Sequence, residues 1–129
     1  MAKRTKTRAS LSEILASCSD TLFPAEMGAA PVTVSSQGSD GDTPLHVMLW
    51  REDTYAVLQL IEAGADVNAV GDMSETPLHI AVRKQNLRAI EALLKAGAKT
   101  TLVSEFGQTS KDSAMEIGGA VKKLFVDKP

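Results

Sequence analysis

The chain has few of the residues on which catalytic or metal chemistry usually depends. Its 129 residues include one cysteine and two histidines, so neither an intramolecular disulfide nor a cysteine-based metal cluster can form. The sequence contains no evident Gly-rich phosphate loop and no serine, histidine and aspartate set. These absences argue against an enzyme and predict no cofactor and no metal.

Aromatic side chains and long apolar runs are also scarce. Aromatic residues make up 4% of the chain and hydrophobic residues 43%, which indicates an aliphatic core. No apolar run approaches the roughly 18 residues of a membrane span. Glu13 and Asp20 interrupt the segment after the basic N-terminus, so we predict no signal peptide. The length favours one domain, which we expect to be cytoplasmic.

The most informative feature is a repeat of 33 residues. Thr43-Pro44-Leu45-His46 recurs as Thr76-Pro77-Leu78-His79, and Glu62-Ala63-Gly64-Ala65 is echoed by Lys95-Ala96-Gly97-Ala98. Threonine followed by proline is typical of a helix start, and the glycines follow a second helix where it would end. A turn, helix, turn, helix unit of this length cannot bury its apolar face alone and must stack on neighbours.

These motifs resemble the ankyrin repeat, whose first helix opens with Thr-Pro-Leu-His and whose second closes with Gly-Ala-Asp-Val-Asn, here residues 64–68. The resemblance is full from about Ser39 to Lys99 and partial from Val34 to Gly107. It implies an all-α solenoid of stacked helix-turn-helix units joined by β-hairpin-like loops, with two full repeats between degenerate capping units.

The same pattern predicts how the chain is divided. Residues 1–9 form a basic disordered tail, and residues 10–126 form a single ankyrin repeat domain. Within it we place an N-terminal cap at 10–33, repeats at about 39–71 and 72–104, and a C-terminal repeat or cap at 105–126. Gly118-Gly119 loosens the last unit, which we expect to be the most mobile.

Apolar spacing assigns the core of each unit. In the N-terminal cap a single helix is predicted to begin after the capping box at Ser10, followed by a short second helix at 23–27. The predicted apolar stripes are Leu11, Ile14, Leu15, Cys18 and Leu22 in the cap, Tyr55, Val57, Leu58 and Ile61 in the first repeat, and Leu87, Ile90, Leu93 and Leu94 in the second.

Cys18 and the two histidines have structural interpretations. Cys18 lies on an apolar stripe and is expected to be a small buried hydrophobe. His46 and His79 are the fourth residues of the two motifs, where the resemblance implies hydrogen bonds to the hairpin and the adjoining repeat. A zinc site would need three or four ligands, and none is suitably spaced.

The resemblance also implies a binding surface, since ankyrin proteins usually bind through a concave groove that the hairpin tips and the inner face of the first helices line. The matching positions here are Ser39, Asp40, Asp42, Trp50 and Arg51, then Asp72, Met73, Glu75, Arg83 and Lys84, then Glu105, Phe106 and Gln108, with Glu116 and Ile117 adjoining where the motif has degraded. Trp50, Met73 and Phe106 are large apolar residues that the framework does not require. Tryptophan and arginine dominate interface hot spots, although Trp50 could instead pack over its own domain.

The favoured function is a non-catalytic protein-interaction module. Acidic residues at the tips and basic residues deeper in the groove predict a partner with a basic patch for the tips and an acidic or polar element for the groove. One version is a bacterial immunity protein or antitoxin that covers a toxin; a eukaryotic adaptor is also compatible.

Two other classes stay open. A nucleic-acid-associated or signalling regulator could use the basic tail, with Lys3, Arg4, Lys6 and Arg8, and the repeats as its docking face. The net charge of −2 disfavours nucleic acid as the primary partner. The third class is an enzyme whose site a partner completes.

Overall fold

A computed structural model of the chain describes residues 9–26 and 31–126, without the side chain of Glu26. These ranges contain eight α-helices, two 3-10 turns and a single isolated β-bridge between Val103 and Thr109. The helices are α1 Leu11–Ser17, α2 Ser19–Leu22, α3 Pro44–Trp50, α4 Thr54–Glu62, α5 Pro77–Arg83, α6 Leu87–Lys95, α7 Ser110–Ile117 and α8 Gly119–Val126. Within the described ranges, no helix has the length and apolar character needed to cross a membrane. The predicted tail at 1–9 lies outside the described residues except for Ala9.

The repeated motif starts each first helix as the sequence predicts. The hydroxyls of Thr43 and Thr76 accept a hydrogen bond from the backbone N–H three residues later, and Pro44 and Pro77 begin α3 and α5. A proline is suited to this position because its missing N–H would have had no partner within the helix.

The second helices are bounded by residues that also recur after 33 positions. Asp53 and Asn86 cap α4 and α6 by accepting from the backbone N–H groups of Ala56 and Ala89. Gly64 and Gly97 follow these helices with φ of 94° and 95°, the left-handed conformation that glycine adopts without steric cost. The caps and stops of both full repeats are therefore confirmed.

The helices form two layers that share one core. Helices α3, α5 and α7 pack side by side in a first-helix layer, α4, α6 and α8 form a second-helix layer, and each second helix packs on the first helix of its own unit. The largest fully buried aliphatic side chains include Leu45, Met48, Leu49, Val57, Leu60, Leu78, Ile80, Val82, Ile90 and Leu93. The predicted all-α solenoid with an aliphatic core is confirmed.

The predicted apolar stripes of the second helices are only partly correct. Val57, Ile90 and Leu93 are fully buried, but Leu87 is 40% exposed and Leu58 is half-buried. At about 100° per residue, Leu87 lies roughly 110° from the centre of the face that α6 buries. Its prediction as a core residue was wrong for that reason.

The N-terminal unit departs most from the repeat. Ser10 and Glu13 form the predicted capping box, but the helix is interrupted at Cys18, so that α1 and α2 replace one continuous helix. The predicted second helix reduces to a 3-10 turn at Pro24–Glu26, and Met27 lies outside the described residues. Cys18 is fully buried, and its burial raises the pKa of the thiol, which confirms its role as a small hydrophobe.

The last unit retains the framework in altered form. Thr109 caps α7, and Asp112 takes the position that His46 and His79 occupy in the full repeats. Gly118 and Gly119 have φ of 75° and 59° and turn the chain directly into α8, whose Val121 and Phe125 are buried. The unit is packed against its neighbour, and its greater mobility stays a prediction.

Candidate functional site

The two histidines fix each hairpin to the one that follows. The Nδ1 atom of His46 accepts from the backbone N–H of Thr43 at 3.0 Å, and its Nε2–H donates to the carbonyl of Glu75 at 3.0 Å. The Nε2 atom of His79 lies 3.1 Å from the carbonyl oxygen of Gln108. The structural interpretation of both histidines is confirmed. In the described part of the chain, no group of three or more His, Cys, Asp or Glu residues is placed to hold a metal ion.

Further bonds connect the hairpin tips directly. The carboxylate of Asp42 in the first tip accepts a hydrogen bond from the backbone N–H of Asp72 in the second, at 2.9 Å. The backbone carbonyl of Met73 in the second tip accepts one from the backbone N–H of Glu105 in the third, at 2.9 Å. The chain needs glycine at Gly71, because a Cβ there would collide with the Asp42 carboxylate. The three tips are therefore held at fixed positions relative to one another.

The middle tip has a left-handed backbone conformation at two residues that are not glycine. Met73 and Ser74 both have positive φ, 59° and 57°. The positions equivalent to Ser74 are Gly41 and Gly107. Left-handed conformations cost non-glycine residues about 1–2 kcal/mol, so the middle tip is strained. Met73 is 47% exposed there.

Four side chains, which we name the groove cluster, join the ends of α3 and α5 to the third tip: Trp50, Arg83, Lys84 and Phe106. The Arg83 guanidinium carbon lies 5.8 Å from the ring centroid of Trp50 and 5.5 Å from that of Phe106. The Lys84 Nζ lies 5.3 Å from the Trp50 ring. These are cation–π distances, yet Trp50 stays 40% exposed and Phe106 60%. One cation thus connects two exposed rings from different units.

Glu75 is not the exposed tip carboxylate that the sequence predicted. It is 3% exposed, and its carboxylate forms an ion pair with Arg83, whose side chain is 47% exposed. The residue lies at the base of its hairpin, where its backbone carbonyl is held by His46. Glu75 therefore holds the Arg83 side chain in place through the ion pair. The exposed acidic residues of the tips are Asp40, Asp72 and Glu105.

Arg51 is exposed, but its guanidinium is bound to the preceding unit and takes no part in the groove cluster. Its guanidinium donates to the hydroxyl and carbonyl of Ser17, both at 3.1 Å, and to the hydroxyl of Thr21 at 3.2 Å. The side chain reaches back to the preceding unit, where α1 and α2 meet. Its role is to attach that unit, and only Arg83 and Lys84 of the predicted basic residues belong to the groove cluster.

A cleft of about 510 Å³ continues the groove from Arg83 and Phe106 to α7. We name it the C-terminal cleft. The Gln108 side chain crosses it, donating to the Glu116 carboxylate at 3.2 Å and accepting from the Ser113 hydroxyl at 3.3 Å. Ile117, 39% exposed, also lines it. Glu116 and Ile117 therefore adjoin the predicted positions, although the repeat motif has degraded there.

The family model described as ankyrin repeats matches residues 11–104 in three copies, which is well over half of the chain. The chain belongs to the ankyrin repeat family. Ankyrin repeats are in general protein–protein interaction modules. The match begins in the N-terminal unit and stops before α7. A search of curated proteins found no match to this chain.

Some contacts of the ankyrin groove were missed from the sequence. Lys84 lies 3.5 Å from the Glu52 carboxylate, and neither Glu52 nor Ser113 was predicted as part of the surface. The 33-residue period contained a usable signal for the first contact. Residues about one period apart stack on neighbouring repeats, so opposite charges 32 positions apart could have been paired. No comparable signal points to Ser113.

Proposed function

We propose that this ankyrin repeat protein is a non-catalytic cytoplasmic binding protein that holds or covers a partner protein through the groove and the hairpin tips. The observation that supports this most directly is the groove cluster. Two exposed aromatic rings and an arginine lie together on one face; aromatic residues and arginine are enriched at interfaces, and tryptophan and arginine are the types that dominate their binding energy. Their mutual contacts order the side chains before a partner arrives, which lowers the entropic cost of association.

The charges of this surface favour a partner with a basic patch. Asp40, Asp72 and Glu105 present exposed carboxylates along the tips. Arg83 is paired with Glu75, and Lys84 lies 3.5 Å from the Glu52 carboxylate, so the groove has less free positive charge than the sequence indicated. Complementary charge at the tips would accelerate and orient association.

As a finer proposal, the protein is a bacterial immunity protein or antitoxin that acts by occlusion. Covering a toxin's active surface requires shape and charge complementarity but no chemistry of its own. The acidic tips suit a basic toxin domain. Co-expression of a captured partner with and without this chain would test it: growth arrest by the partner alone and rescue by the chain are expected, and a harmless partner would contradict the immunity role.

The binding proposal is tested by affinity capture from the source organism with mass spectrometry. The three baits are the native chain, a Trp50→Ala/Phe106→Ala groove variant and a Leu87→Ala control. Leu87 is as exposed as Trp50, at 40%, but lies on α6 in the second-helix layer. We expect one partner to be retained by the native chain and the control and lost by the groove variant. Retention by the groove variant would place binding on another surface, and loss after deletion of residues 1–9 would place it on the tail.

A further inference from the structure

The C-terminal cleft contains one more carboxylate than cationic group. Among its Asp, Glu, Lys and Arg residues, Glu75 and Arg83 form an ion pair and Glu116 is left over. The Glu116 carboxylate accepts from the Gln108 amide, and no Lys, Arg or His within the described residues forms an ion pair with it. An occupant that supplies one positive charge would balance the cleft.

The walls of the cleft limit the kind of cation. Phe106 and Ile117 are 60% and 39% exposed, so the cleft presents apolar surface together with the Glu116 carboxylate. The volume of about 510 Å³ is within the range of small-ligand sites. Phe106 already has one guanidinium close to its ring, that of Arg83. The cleft therefore combines an aromatic ring with a carboxylate that lacks a cation.

We propose that the C-terminal cleft receives an arginine side chain from a basic segment of the partner protein. The guanidinium pairs with Glu116 and lies over Phe106, and an apolar neighbour of that arginine contacts Ile117. A guanidinium suits this site better than an ammonium group, because it is planar, weakly hydrated, stacks on aromatic rings and pairs with carboxylates through two parallel hydrogen bonds. This inference rests on the proposed function and names the chemistry of its partner.

The test is an NMR titration of the full chain with N-acetyl-arginine amide, and with the citrulline analogue, which has nearly the same shape but no charge. We expect saturable shifts confined to Phe106, Ile117 and the Gln108 side-chain amide, with a Kd on the order of 1–10 mM. The citrulline analogue should bind about three- to fivefold more weakly. Glu116→Gln should abolish that difference, while Glu91→Gln, an exposed glutamate on α6, should preserve it.

The inference is overturned if arginine amide produces no saturable shifts in the cleft, if citrulline binds equally well, or if the preference for arginine survives in Glu116→Gln. The proposed function has a separate outcome. A partner that requires Trp50 and Phe106 but binds Glu116→Gln unchanged would leave the proposed function standing and overturn the arginine site.

Discussion

Replacing Arg83 by alanine should destabilise the fold as well as impair the groove. The change leaves the Glu75 carboxylate, whose side chain is 4% exposed, without its cation. Removing one member of a buried ion pair typically costs 3–5 kcal/mol. Because the Arg83 side chain is itself 47% exposed, solvent screening reduces that figure to about 1 kcal/mol. Two cation–π contacts of about 0.5 kcal/mol each are also lost, so we expect a total loss of about 2 kcal/mol.

A double-mutant cycle with Glu75→Gln isolates the interaction between the two residues. Urea unfolding followed by circular dichroism measures the free energy of unfolding of each variant. The double variant should lose about 1 kcal/mol less than the sum of the single variants, because it contains no buried unpaired carboxylate. Arg88→Ala, which removes an exposed arginine on α6, should change stability by less than about 0.5 kcal/mol. Single-variant losses that add to within about 0.3 kcal/mol would refute this account of the pair.

Three further predictions follow from contacts described above. Ser74→Gly should raise the free energy of unfolding by about 0.5–1 kcal/mol, since relief of the strain at positive φ outweighs the added freedom of the unfolded chain. Ser74→Ala keeps the strain, so an equal rise in the free energy of urea unfolding for Ser74→Ala would contradict the explanation. Burial lowers the pKa of His46, so below a pH of about 6.5 the unfolded state binds more protons than the folded state, and the free energy of unfolding should fall as the pH drops below that value. Chemical denaturation from pH 5 to 8 measures this dependence, and a free energy that does not change with pH would contradict the prediction. Arg51→Met should speed amide hydrogen exchange in α1 and α2 while leaving exchange in α6 unchanged, because it removes three hydrogen bonds to Ser17 and Thr21. Unchanged exchange in α1 would show that apolar packing alone holds the N-terminal unit.

The structural features that depend on residues close in the sequence were predictable from the sequence. Thr43, Pro44 and Gly64 determine where helices begin and end through contacts within a few positions, so their roles followed from the 33-residue repeat. The histidine bonds and the buried Cys18 were also predicted, the former from the family resemblance and the latter from helical spacing. These local signals fix the layered architecture because both full repeats contain them.

The partners of long surface side chains were not predictable in the same way. Arg51 and Lys84 are equivalent by the period, and both reach back to equivalent positions of the preceding unit, Ser17 and Trp50. Arg51 meets a hydroxyl group there and Lys84 an indole ring, because the N-terminal unit departs from the repeat. Glu75 was misassigned for a related reason: a glutamate in a hairpin is expected in water, and only the position of Arg83 above it explains its burial.

The histidine bonds also bear on how this array could be lengthened. His46 and His79 each reach a backbone oxygen 29 residues later, so one imidazole sets the spacing between successive hairpins. Asp112 occupies the equivalent place in the last unit, and an ionised carboxylate has no hydrogen to offer a following carbonyl. An engineer who grafted another repeat after α8 would therefore need to change Asp112 to histidine, or the added hairpin would lack the anchor that aligns the others.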